Sequence, residues 1–129
     1  MIDYRIDPEV GNEALNTLFQ DAWAGHSPRD FSPVLSSSLG YICAFSGNRL
    51  IGFVYLAWDG DAHTFLLDPT VHTSLRRRGI GTELIRRATD LARLREAEWL
   101  HVDFEPHLAE LYRKCGFRKS EAGVIKLVE

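Results

Sequence analysis

A mixed α/β (α+β) fold, with helices packed on a largely antiparallel sheet, follows from three features of the sequence. First, two turn signals, "SGN" and "DGD", separate three apolar runs rich in strand formers, the pattern of an antiparallel meander. Second, a long amphipathic helical stretch is followed by an alternating run. A helical crossover between strands favours a parallel pairing, which makes the sheet mixed. Third, 129 residues, 45% of them hydrophobic, can bury a core without metals or disulfides, so the whole chain (1–129) reads as one domain.

The elements follow in order. Ile2 to Ile6 reads as a short strand. Pro8 to Trp23 reads as a helix, because Ala14, Leu15, Leu18, Phe19 and Ala22 recur at helical spacing. "AGHSPRDFSPVLSSSLG" reads as a loop with room for a helical turn, since it holds two prolines, two glycines and five serines. The meander strands are "YICAF", "RLIGFVYLAW" and "AHTFLLDPTV". Pro69 removes a ladder donor from the last of these, which predicts an edge or a bulge.

Thr82 to Ala97 is predicted helical, with Leu84, Ile85, Ala88, Leu91 and Ala92 on one face. "WLHVDF" alternates as a strand, placing His101 and Asp103 on one side. Pro106 stands at a plausible first helical position, a stripe of Leu108, Leu111, Tyr112 and Cys115 follows, and Gly116 is a natural stop. "GVIKLV" is predicted to close the chain as a strand.

Charge is unevenly spread. Residues 1–70 hold three basic and nine acidic residues; residues 71–129 hold twelve basic and nine acidic. The second half is therefore where a polyanion would bind. The net charge of -3 argues against nucleic acid as the partner. No apolar run approaches the roughly 20 residues that span a bilayer, and "MIDYRIDPEV" lacks the apolar core of a secretory leader. Cys43 and Cys115 form neither a metal-type spacing nor a disulfide framework. These features predict a reduced, cytoplasmic protein with no metal and no membrane partner.

The most informative stretch is "LRRRGIGTELI". A helix start presents backbone N–H groups without partners and partial positive charge. Glycine there allows close approach of an anion, and Arg76, Arg77 and Arg78 can add charge-assisted hydrogen bonds. A solvated basic turn is the bland alternative. The dinucleotide fingerprint would need a third glycine where Leu84 stands, and the Gly-Lys-Ser/Thr of a Walker loop does not occur.

"VHTSLRRRGIGTELIRRA" resembles motif A of the GCN5-related N-acetyltransferase (GNAT) family, (Arg/Gln)-x-x-Gly-x-(Gly/Ala), here Arg76-x-x-Gly79-x-Gly81. "HLAELYRKCGF" resembles the family's next signature, a helix with tyrosine near its end and then Gly-Phe, here Tyr112, Gly116 and Phe117. The resemblance runs along essentially the whole chain. It implies a mixed, mostly antiparallel central sheet flanked by helices on both faces, and acetyl-CoA as cosubstrate.

In such proteins the segment matching Arg77, Arg78, Gly79, Ile80, Gly81 and Thr82 holds the pyrophosphate through backbone amides. Backbone at Thr70, Val71 and Thr73 pairs with the pantetheine arm, and the thioester enters a V-shaped opening beside "WLHVDF". Many members carry proline where this chain has Thr73. Many carry a cofactor-contacting asparagine where it has Glu105; that residue is instead expected to cap the helix at Pro106.

The implied reaction is direct acetyl transfer to a primary amine on a small molecule or peptide. Neither cysteine sits in an evident nucleophile–base pair. Tyr112 matches the family's general acid, and a backbone N–H near Val71 matches its oxyanion donor. The candidate base is Asp68, on the bulged strand; His101 and Asp103 are weaker candidates, and His63, His72 and His107 read as surface or loop residues. Trp23, Phe31, Tyr55 and Trp58, with Asp59 and Asp61, are candidate walls for a cationic acceptor, or simply core. A non-catalytic acyl-CoA sensor and a protein-interaction module are the rival readings. The short region after Phe117 leaves the last strands incomplete or shared with a second copy, so a homodimer is an open expectation.

Overall fold

The computed structural model describes residues 1–128. A five-stranded sheet, in the order β1-β2-β3-β4-β5, runs through the molecule. Its strands are β1 (Ile2–Ile6), β2 (Gly40–Ser46), β3 (Arg49–Trp58), β4 (His63–Val71) and β5 (Trp99–His101). The first four pair antiparallel, while β5 lies parallel to β4. The helices are α1 (Asn12–Ala22), α2 (Ser32–Ser37), α3 (Ile80–Leu94) and α4 (Ala109–Lys114), with single 3₁₀ turns at Thr73–Leu75 and Pro106–Leu108.

The alternation of each strand divides the core between two faces. On one side Leu15, Leu18 and Phe19 of α1 pack with Phe31, Cys43 and Phe53. On the other, α3 buries Leu84, Ile85, Ala88 and Leu91 against Ile42, Ala44, Val54, Leu56 and Leu66. Each large aliphatic side chain so buried contributes about 1.5–3 kcal/mol, which anchors the helix that opens at the glycine turn. That helix lies close on the sheet: a Cβ on Gly52 would stand 3.1 Å from both the Ala44 Cβ and a Leu84 methyl. Helices therefore flank the sheet on both faces, as the sequence predicts.

Several boundaries differ from the sequence reading. The first helix begins at Asn12 rather than Pro8, because Asp7 and Pro8 belong to the sheet edge: the Asp7 N–H donates to the Tyr41 carbonyl and the Tyr41 hydroxyl to the Pro8 carbonyl. Helix α3 stops at Leu94, where Glu96 turns left-handed (φ 66°) and the Ala97 N–H closes back on the Ala92 carbonyl. Helical structure after Pro106 starts as a 3₁₀ turn before α4.

Two strand expectations are corrected. "WLHVDF" keeps strand pairing only through His101. "GVIKLV" forms no strand: residues 118–128 carry no regular structure, and Val124, Ile125, Leu127 and Val128 are exposed. Its run of strand formers has no neighbouring strand among the described residues to pair with, and strand-forming residues alone do not make a ladder.

Candidate functional site

The site lies where β4 and β5 part. They pair only through His63–Phe65 and Trp99–His101, so β4 from Leu66 onward has no strand partner on that edge. The opening expected beside "WLHVDF" is thus present, and it arises because β5 ends after three residues. Across the sheet, β4 bulges: Phe53 faces Thr70 and Tyr55 faces Leu67, so Asp68 and Pro69 together oppose Val54 alone. Pro69 lacks the N–H that a regular ladder would demand there, which accounts for the bulge. Asp68 takes a left-handed backbone (φ 51°), uncommon for any residue but glycine and most accessible to Asn and Asp.

Beyond β4 the chain reaches the glycine turn. Arg77 (φ 65°) and Gly79 (φ 79°) both adopt left-handed conformations that fold the backbone into the start of α3. Among the described residues, none of the six consecutive backbone N–H groups from Arg77 to Thr82 donates to another atom of the chain. A run of free donors at a helix start is an anion cradle. A Cβ at Gly81 would meet only a Val71 methyl, at 3.8 Å, so the approach to this backbone is open.

The arginines divide their work. Arg76 is exposed but bound: its Nη2 donates to the Ala22 carbonyl (3.2 Å), with a longer contact from Nε to the Val71 carbonyl (3.4 Å). Arg77 and Arg78 are exposed and hold no acidic partner among the described residues. Thr73 also departs from its expected role. It lies in the 3₁₀ turn rather than in β4, and Asp21 takes both its N–H (2.8 Å) and its hydroxyl (2.9 Å), so neither donor is free for a pantetheine arm. Thr70 is buried, its hydroxyl spent on the Asp68 carbonyl (2.7 Å) while accepting from the Trp23 indole (3.0 Å).

Tyr112 sits on α4 in the α3-side core, only 3% exposed. Its ring stacks on Phe104 (4.7 Å between centroids) and meets Phe117 edge-on (5.6 Å). Among the described residues its hydroxyl has no hydrogen-bond partner, and no buried side-chain oxygen is left unpaired, so the hydroxyl reaches solvent. Burial pushes the phenol above its ordinary value, with the neighbouring Cys115 adding to the shift. Gly116 and Phe117 cap α4, both donating back into its last turn.

Asp68 borders Tyr55, which packs on the α1-side core, whereas Tyr112 belongs to the α3-side core. Among the described residues its half-buried carboxylate has no hydrogen-bond partner, and burial raises its pKa against the opposing pull of Arg29. Cys43 is sealed in the core, its thiol pushed up to about 12 by burial, and is no nucleophile.

Of the other candidates, His101 pairs with His63 (2.9 Å) and stacks on Phe65, while Asp103 is exposed beyond the strand end. His63 and His107 are exposed and His72 lies in the loop after β4, as expected, where it is half-buried in a cluster with Asp21, Arg49 and Ser74. Phe31 belongs to the core, whereas Trp23 and Trp58 are open to solvent. The Asp59 carboxylate is held by the turn it closes, accepting from the N–H groups of Asp61 and His63. Glu105 precedes the Pro106 turn, but its side chain makes no capping bond; only its carbonyl takes part, accepting from Leu108.

The family model for the acetyltransferase (GNAT) family matches residues 9–117. The chain belongs to the GNAT family of acetyltransferases. Among solved structures, a GNAT-family acetyltransferase from Streptococcus pneumoniae superimposes with a TM-score of 0.83 at 27% identity, covering 99% of this chain and 98% of that one. The aminoglycoside N-acetyltransferase AAC(6')-Iy, solved in complex with CoA, shares the fold with a TM-score of 0.76 at 19% identity, covering 98% of this chain and 93% of that one. A mycothiol acetyltransferase from Mycolicibacterium vanbaalenii is 35% identical over 66 residues, which is 51% of this GNAT chain but only 22% of the relative's length. No helix among the described residues is long and apolar enough to cross a membrane.

Proposed function

We propose that this GNAT protein transfers an acetyl group from acetyl-CoA directly to a primary amine. The observation that carries the reading is the unbroken run of free N–H donors from Arg77 to Thr82 at the start of α3, a few residues after β4 ends. Those residues fit a pyrophosphate: the donors are free, the glycine turn is open, and Arg77 and Arg78 stand unpaired beside it. In this reading Arg76 supports the turn from behind, Val71 marks where the thioester would lie, and Thr73 serves through Asp21 rather than by contact.

Acetyl-CoA supplies an activated thioester when bound. The chain supplies the rest. The amine nitrogen attacks the thioester carbon and the carbon–sulfur bond breaks. The Asp68 carboxylate, directly or through water, takes the proton of the ammonium group; its raised pKa makes it a better base than an exposed aspartate. The Tyr112 hydroxyl gives a proton to the departing thiolate, and burial keeps the phenol protonated well past neutral pH. The exposed indole of Trp23 near the bulge suits a small-molecule amine, the kind of acceptor named for the aminoglycoside enzyme.

Calorimetric titration of the purified chain with acetyl-CoA, followed by an amine screen read as thiol release, tests this. Micromolar binding with amine-dependent thiol release is expected. Binding without turnover for any amine would make the protein an acyl-CoA sensor, and absence of binding by a folded, CoA-free sample would refute the anion cradle.

A further inference from the structure

The last turn of α1 is tied to the glycine turn by a reciprocal clasp. Asp21 accepts the Thr73 N–H at one carboxylate oxygen (2.8 Å) and the Thr73 hydroxyl at the other (2.9 Å). Three residues on, Arg76 donates back to the Ala22 carbonyl at the end of the same helix (3.2 Å). Between these two attachments the chain makes its 3₁₀ turn, and immediately after them the six free N–H groups begin. The clasp spans 52 residues of sequence and leaves the segment entering the cradle little freedom.

Asp21 is poorly placed for the helix that carries it. A helix C-terminus bears partial negative charge, so a carboxylate in the last turn is unfavourable there, and α1 has no basic residue of its own in that turn. The Ala22 carbonyl takes its cation from Arg76, across the clasp. The Asp21 carboxyl is held below its ordinary range chiefly by the Thr73 N–H. Its bonds are therefore made to the cofactor side and not to its own helix.

We infer that Asp21 is a positioning residue for CoA: through Thr73 it fixes the turn so that the donors from Arg77 to Thr82 converge on the pyrophosphate. The inference rests on the acetyl-CoA reading above. It also gives Thr73 a role that proline could not fill, because proline has no N–H for Asp21 to bind.

The test is calorimetric titration of the full chain with CoA, in wild type, Asp21→Ala, Asp21→Asn and Thr73→Ala, with thermal unfolding of each. Asp21→Ala should weaken CoA binding roughly tenfold, about the size of one charge-assisted hydrogen bond. Asp21→Asn keeps one carbonyl oxygen to accept the Thr73 N–H and should recover most of that loss. Adding Thr73→Ala to Asp21→Ala should cost less than the sum of the two single losses. A purely structural role would lower the melting temperature and leave the affinity of the folded fraction within twofold of wild type; that result, or equal losses in the Asn and Ala variants, overturns the inference alone. If wild type fails to bind CoA, the acetyl-CoA reading falls and takes this one with it.

Discussion

Tyr112→Phe separates chemistry from packing more cleanly than any other change in the site. The ring is buried, stacked on Phe104 and wedged against Phe117, while the hydroxyl has no partner among the described residues and reaches solvent. Phenylalanine keeps every ring contact and strands no buried donor or acceptor, so unfolding free energy should change by less than about 0.5 kcal/mol. Alanine would empty the same space and cost roughly 3–5 kcal/mol. If the hydroxyl protonates the leaving thiolate, Phe should cut kcat by about 10²–10⁴ and leave CoA affinity unchanged. Burial holds the phenol above its ordinary value, so the alkaline fall of wild-type kcat, where Tyr112 deprotonates, should lie above the usual phenol range and be absent from the residual activity of the variant. The assay is thiol release against pH with an amine found by screening, beside denaturant unfolding and CoA titration. Full turnover by Tyr112→Phe across that range would remove the general-acid assignment. Destabilisation by more than about 1 kcal/mol would show that the hydroxyl has a structural partner.

Other changes test the neighbouring elements. Asp68→Asn should stabilise the protein at neutral pH: burial raises the folded carboxyl pKa above its unfolded value, so the stability this group contributes is present below the unfolded pKa and lost as pH rises through the folded one. The gain in melting temperature should vanish as pH falls below the ordinary aspartate range, and amine acetylation should drop; asparagine tolerates the left-handed backbone, so a loss of fold is not expected. Gly81→Ala should melt no lower than wild type, since its methyl meets only Val71 at 3.8 Å, whereas Gly79→Ala, at φ 79°, should cost about 1–2 kcal/mol by denaturant unfolding. Gly52→Ala forces a methyl to 3.1 Å from Ala44 and Leu84 and should cost about 1–3 kcal/mol, separating α3 from the sheet that sets its position.

How far the sequence foretold all this depended on the range of the interaction. The meander, the bulge at Pro69 and the glycine turn are local: each is written in a few consecutive residues, and each stands where expected. The run of free N–H groups was legible for the same reason, because unpaired donors at a helix start need only the helix and its glycine. What the sequence obscured is long-range. Arg76, Arg77 and Arg78 look alike in a row, yet Arg76 alone donates to a carbonyl of α1, 54 positions earlier, while all three stay exposed. Nothing near Asp21 marks it; the one local hint is the wrong sign of its charge for a helix C-terminus. The failed strand at "GVIKLV" belongs with these cases, since β-branched and apolar residues favour an extended chain but the pairing must come from another part of a chain. Asp21 and the lost strand thus teach one rule. A residue that breaks a local preference, or a pattern with no partner in reach, is where the fold is deciding something that short-range reading cannot supply.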